Sequence, residues 1–104
     1  MSGTGSRTVL VIDDDAELRD GLRRTLDPRH WFLVCARDGR DALAVLRAVQ
    51  VDVIVLDLAT PGVAAREFLD ERARTPELAD VPVVVATEGR APTSLLPAIH
   101  ASLV

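Results

Sequence analysis

The chain has 104 residues, enough for one domain and too few for two. Hydrophobic residues make up 48% and charged residues 27%, an ordinary globular balance. The net charge of −4 speaks against direct nucleic-acid binding, and Trp31, Phe32 and Phe68 are too few aromatics for a base-stacking platform.

Residues 1–7 are rich in Gly, Ser and Thr and read as a flexible tail. They hold no apolar signal segment, and the apolar runs fall far short of the roughly 20 residues that span a membrane. The expectation is a cytoplasmic protein without membrane contact. Gly3-Thr4-Gly5-Ser6 stands before the first strand, whereas a phosphate-binding loop must follow one.

Four apolar runs follow: Val9–Ile12, Trp31–Cys35, Val53–Leu56 and Val83–Ala86. Three are β-branched and none alternates with polar residues, the pattern of strands buried on both faces of a parallel sheet. The intervals between them carry helical spacing. Leu18, Leu22 and Leu26 repeat at i+4; Ala42, Val45, Leu46 and Val49 share one helix face; so do Ala65, Phe68 and Leu69. Asp15 suits an N-cap for a helix ending near Asp27-Pro28. Asp38-Gly39 marks the turn into the second helix, and Thr75-Pro76 stops the third. The order β-α-β-α-β-α-β implies a doubly wound parallel sheet with helices on both faces. A short helix is expected from about Ser94 to Ala101, because Pro97 is tolerable only in a first helical turn. Leu103-Val104 would then open a fifth strand.

Three runs end in polar residues. Val9–Ile12 leads into Asp13, Asp14 and Asp15; Val53–Leu56 into Asp57; Val83–Ala86 into Thr87. In an open parallel sheet these strand ends border the crevice where ligands bind. Several carboxylates in one crevice repel each other, and a hard cation relieves that cost. An all-oxygen set suits Mg²⁺ rather than zinc. The alternative roles are helix capping for one of Asp13–Asp15 and a strand-end turn before Pro61-Gly62 for Asp57.

The segments 9–15, 36–43, 55–62 and 81–87, in that order and spacing, resemble the receiver domains of two-component response regulators, which have a flavodoxin-like fold. The resemblance runs from about Arg7 to Thr87 and makes residues 8–104 the receiver domain. It implies a sheet of order 2-1-3-4-5, with the fifth strand and fifth helix largely missing here. It implies that Asp57 accepts a phosphoryl group from a sensor histidine kinase or phosphotransfer protein. Asp13, Asp14, Asp57 and the Ala59 carbonyl would hold Mg²⁺, and Thr87 would hydrogen-bond the phosphoryl oxygens.

The chain departs from the family pattern in several places. All 12 basic residues are Arg, so the family's strand-five Lys has no counterpart. Glu88 stands where a small residue is usual, and Ala64-Ala65 replaces an Asp-Gly pair. Leu103 is nearest to the family's aromatic switch position and is not aromatic. These departures raise a second reading, a pseudo-receiver that serves as a phosphorylation-independent interaction module. A haloacid-dehalogenase-type phosphatase is a third, disfavoured by Ala59 where that family needs a second Asp. The output partner is not legible.

Cys35 is expected to be an inert core thiol and excludes an internal disulfide. His30 and His100 are isolated, and Arg37, Arg40 and Arg47 belong to a solvated face. Without a fifth strand, the fourth lies at the sheet edge, and an apolar patch is expected near strands one and three. Both features point to self-association through the strand-four edge.

Overall fold

The structure, a computed structural model, describes residues 7–13, 16–57, 62–86 and 95–101. Its elements are β1 (Arg7–Ile12), α1 (Ala16–Thr25), β2 (Trp31–Ala36), α2 (Gly39–Ala48), β3 (Val53–Asp57), α3 (Gly62–Arg74), α4 (Pro76–Ala79), β4 (Val83–Ala86) and α5 (Leu96–Ala101). The four-stranded sheet has the order β2-β1-β3-β4, with every pairing parallel, as the sequence pattern predicts. β1 begins at Arg7, whose main-chain N–H donates to the His30 carbonyl, so the first strand takes up the last residue of the expected tail. The Leu103-Val104 expectation lies outside the described residues.

The central strands carry the core. Val9–Ile12 and Val53–Leu56 are at most 1% exposed, so both faces of β1 and β3 are covered. Alternate residues point to opposite faces. On one face Leu10, Ile12, Ile54 and Leu56 meet Ala42 and Leu46 of α2 and Phe68 of α3. On the other, Val9, Val11, Val53 and Val55 meet Leu22 of α1, Leu26 just beyond it, and Leu95 and Ile99 at α5. The side taken by each of the first three helices follows from right-handed crossovers. α1 carries the chain leftward from β1 to β2, whereas α2 and α3 carry it rightward, so α1 lies opposite the other two.

Three expectations need correction. The apolar patch expected beside strands one and three is absent among the described residues, because Leu95 and Ile99 seal that face. This sealing puts α5 on the α1 side. The second correction concerns β4, which is buried on one face only: Val84 and Ala86 are buried, but Val85 is 41% exposed. The third concerns Cys35. It sits half-buried on the edge strand β2 rather than in the core, with the Arg23 guanidinium 4.0 Å from its sulfur.

Local chemistry fixes the boundaries. The Asp38 carboxylate caps α2 by accepting from the Asp41 N–H at 2.9 Å, while the Asp41 carboxylate accepts from the Arg37 N–H at 3.1 Å. Pro76 ends α3 as expected and then opens a further short helix, α4, because proline is favoured at a helix start. Arg72 donates to the Ala79 and Val81 carbonyls and fixes the path from α3 into β4. Asp27 and Arg29 form an exposed pair at 3.0 Å, and the Arg29 hydrogen bonds hold the Asp27 carboxyl below its usual value. His30 is exposed, 3.8 Å from the same carboxylate. His100 stacks on Trp31 with ring centroids 5.8 Å apart, joining α5 to the start of β2.

Two outcomes follow from this packing. Ile99→Ala should destabilise the fold by about 2–5 kcal/mol in urea titrations, whereas Phe32→Ala, at a side chain 62% exposed, should cost about 0.5 kcal/mol or less. Burial pushes the Cys35 thiol up, against the lowering influence of Arg19 and Arg23. Iodoacetamide at pH 8 should therefore alkylate folded protein more slowly than free cysteine, and urea should remove the difference.

Candidate functional site

The candidate site is built by register. β1 and β3 pair with Ile12 beside Leu56, and the next residues are Asp13 and Asp57. Neighbouring parallel strands run about 4.8 Å apart, so both carboxylates leave the sheet at the same level from adjacent strands. The Asp13 N–H donates to the Ala36 carbonyl at 3.0 Å, which fastens the end of β1 to the end of β2. On the other side Asp57 pairs with Ala86, the residue before Thr87. All of these groups belong to the carboxyl ends of the strands, the end at which open parallel sheets bind ligands.

The two carboxylates differ in access. Asp13 is 3% exposed and is the one buried charged residue among the described residues. Asp57 is half-buried and reaches solvent. Asp14, Asp15, Ala59, Thr87 and Glu88 lie outside the described residues, so the structure brings together Asp13 and Asp57 of the expected set. Among the described residues no group of three acidic, His or Cys side chains forms a metal cluster. The chemistry of the donors nevertheless fits a hard cation: Asp13 and Asp57, at the ends of adjacent strands, offer only oxygens, and Asp13 is withdrawn from water.

Several described polar groups are engaged elsewhere. Asp38 is engaged as the α2 cap, His30 lies beside Asp27, and His100 is stacked on Trp31. Arg37, Arg40 and Arg47 are exposed, as expected of a solvated face. An open groove between α2 and α3 is lined by Asp38, Arg40, Glu67, Glu71 and Arg74 over Phe68, and neither Asp13 nor Asp57 lines it. The Ala36 carbonyl that holds Asp13 was not foreseen. A main-chain acceptor has no side-chain signature and becomes visible only once register is known.

A parallel α/β sheet of order 2-1-3-4, with two carboxylates at its central strand ends, defines the class of open doubly wound domains, whose crevice at the topological switch point is the usual ligand site. The chain belongs to the response regulator receiver domain family, which it matches over residues 9–103. It is 34% identical over 79 residues to the response regulator MprA of Mycolicibacterium vanbaalenii, covering 76% of this chain and 33% of that protein. It is 43% identical over 72 residues to the hydrogenase transcriptional regulatory protein HoxA of Cupriavidus necator, covering 68% of this chain and 15% of that protein. The chain thus spans a third or less of the curated relatives it matches here. Chemotaxis response regulator CheY4 of Vibrio cholerae superposes with a TM-score of 0.82 at 22% identity, covering 94% of this chain and 99% of that one. That likeness shows the fold. The family places the chain in two-component signalling, and no helix among the described residues is long and apolar enough to cross a membrane.

Carboxylates on neighbouring strand ends repel when no cation neutralises them, by about 1 kcal/mol where they are solvated. Asp57→Asn should therefore raise the melting temperature in metal-free buffer by about 4–8 °C, read by circular dichroism.

Proposed function

We propose that the chain is a phosphoacceptor module, with Asp57 taking a phosphoryl group from the phosphohistidine of a sensor histidine kinase or phosphotransfer protein. The observation that carries this reading is the difference in access between the two strand-end carboxylates. Asp13 is withdrawn from solvent, so a partner's phosphohistidine cannot reach it. Asp57 ends the central strand β3 and is open to the crevice. In the transfer an Asp57 carboxylate oxygen bonds to phosphorus as the phosphorus–nitrogen bond breaks. The imidazole leaves and takes up a proton. The product is an acyl phosphate.

This chemistry depends on positioning and charge neutralisation more than on covalent assistance. Asp13, Asp14, Asp57 and the Ala59 carbonyl would hold Mg²⁺, which supplies the positive charge that lets an anionic donor approach two carboxylates. Asp13 is fixed for that role through its main-chain bond to Ala36. Thr87, next after the Ala86 that pairs with Asp57, would donate its hydroxyl to a phosphoryl oxygen. This reading places the protein in the cytoplasm, where histidine kinases present their phosphohistidine.

Acetyl phosphate with Mg²⁺ tests the reading. One hydroxylamine-labile phosphoryl group should appear on Asp57 by mass spectrometry and be lost in Asp57→Asn. Asp13→Asn removes a charged ligand and should raise the Mg²⁺ needed for half-maximal labelling roughly tenfold or more. Label that survives in Asp57→Asn, or labelling indifferent to Mg²⁺, would refute the assignment.

A further inference from the structure

The main-chain bond that fastens Asp13 to β2 has a second end. The Ala36 carbonyl accepts from the Asp13 N–H at 3.0 Å, and this carbonyl shares one peptide unit with the Arg37 N–H. A trans peptide unit is planar, so its carbonyl and its N–H point in opposite directions and move as one rigid body. The Asp41 carboxylate accepts from the Arg37 N–H at 3.1 Å. The plane at the end of β2 is therefore held from both sides, by Asp13 on its oxygen and by Asp41 on its nitrogen.

Asp41 is itself fixed. It stands in the first turn of α2, and its own N–H donates to the Asp38 carboxylate at 2.9 Å. The next residue, Ala42, is wholly buried in one cluster with Ile12 and Ala36, the last residues of β1 and β2. The first turn of α2 is thus seated on the strand ends, and Asp41 acts from a rigid base. Reciprocal bonds of this kind usually serve to cap a helix. Here the capped turn also carries the acceptor for Asp13. A carboxylate on the Arg37 N–H polarises the peptide group and makes the Ala36 carbonyl the stronger acceptor.

We propose that Asp41 is a positioning residue for Asp13, acting through the Ala36–Arg37 peptide plane. The proposal rests on the reading of Asp13 as a Mg²⁺ ligand and adds to it a residue outside the carboxylates of the crevice. Asp41 acts on neither the cation nor the phosphoryl group directly. It sets where β1 ends, and so the place from which the Asp13 carboxylate leaves the sheet. Its removal loosens Asp13 and weakens Mg²⁺ binding, while the nucleophile Asp57, on β3, stays as it was.

Amide hydrogen exchange on the metal-free 104-residue chain is the first test, since it needs no cation. The Asp13 amide should exchange about tenfold faster in Asp41→Ala than in the parent chain, measured relative to the Leu10 amide deep in β1, which corrects for lost global stability. Asp41→Asn keeps an oxygen for the Arg37 N–H and should restore much of the protection. Asp27→Ala is the control. It removes a similar bond, from the Arg29 N–H to a carboxylate, at the opposite end of β2, and should leave the Asp13 amide at the parent rate. Calorimetric titration with magnesium chloride should give a dissociation constant about threefold higher for Asp41→Ala, as expected of a group that supports a ligand from outside, and a value nearer the parent's for Asp41→Asn. With acetyl phosphate, the Mg²⁺ needed for half-maximal labelling should rise by the same factor, and the rate at saturating Mg²⁺ should equal that of the parent.

An Asp13 amide that exchanges in Asp41→Ala as it does in the parent would overturn the proposal. So would equal weakening of Mg²⁺ binding in Asp41→Ala and Asp41→Asn, which would mean that Asp41 acts by its charge alone, or a parent chain that binds no Mg²⁺. If Asp41→Ala does not fold, the parent chain decides. Across a urea series its Asp13, Arg37 and Asp41 amides should open with one shared free energy, and unlinked openings would overturn the proposal. A chain that binds Mg²⁺ and couples Asp13 to Asp41, yet takes no label on Asp57, supports this proposal and refutes the phosphoacceptor reading alone.

Discussion

The parallel register between β1 and β3 is the constraint on which the rest depends. With Ile12 beside Leu56, the strands stop level with each other and hand the chain to Asp13 and Asp57 at one height. A shift of one residue would invert the side-chain alternation of one strand, send its valines to the wrong face and separate the two carboxylates. The apolar packing that locks the register therefore also assembles the acidic pair. The strand ends that carry the pair are anchored by eight central-strand residues that are at most 1% exposed, Val9–Ile12 and Val53–Leu56.

The two faces of the sheet are filled in different ways. α2 and α3 cover one with Ala42, Leu46 and Phe68, and the short α4 adds Leu78 at its margin. The other is shared by α1 and α5, with α5 contributing Ile99 and the adjoining Leu95. A six-residue helix would be marginal in isolation. Here it is held by burial of its apolar pair and by the stack of His100 on Trp31. The described helices thus seal both faces of the central strands.

Much of this was legible from residues alone. The β-branched runs at 9–12 and 53–56 announced buried parallel strands, and the leucines at 18, 22 and 26 announced the face of α1. Asp57 drew notice because it terminates such a run. The run at 83–86 looked the same on paper, yet Val85 is 41% exposed. Hydrophobicity records what a side chain can bury, and an edge position removes the neighbour that would bury it. Cys35 was misjudged for the same reason, since β2 is the opposite edge.

The sequence by itself determined the class of fold, the order of its elements and the residue types at the strand ends, because these depend on local periodicity and on the hand of short crossovers. It also set Asp13 and Asp57 at the ends of two buried apolar runs, in segments that resemble receiver domains. Tertiary structure alone decided which carboxylate is withdrawn from water and which is open, because access depends on what packs above a strand end. It also decided the face taken by α5. A helix with an apolar pair could have docked on either side of the sheet, and only the space left beside α1 by the other helices settles where Leu95 and Ile99 are buried.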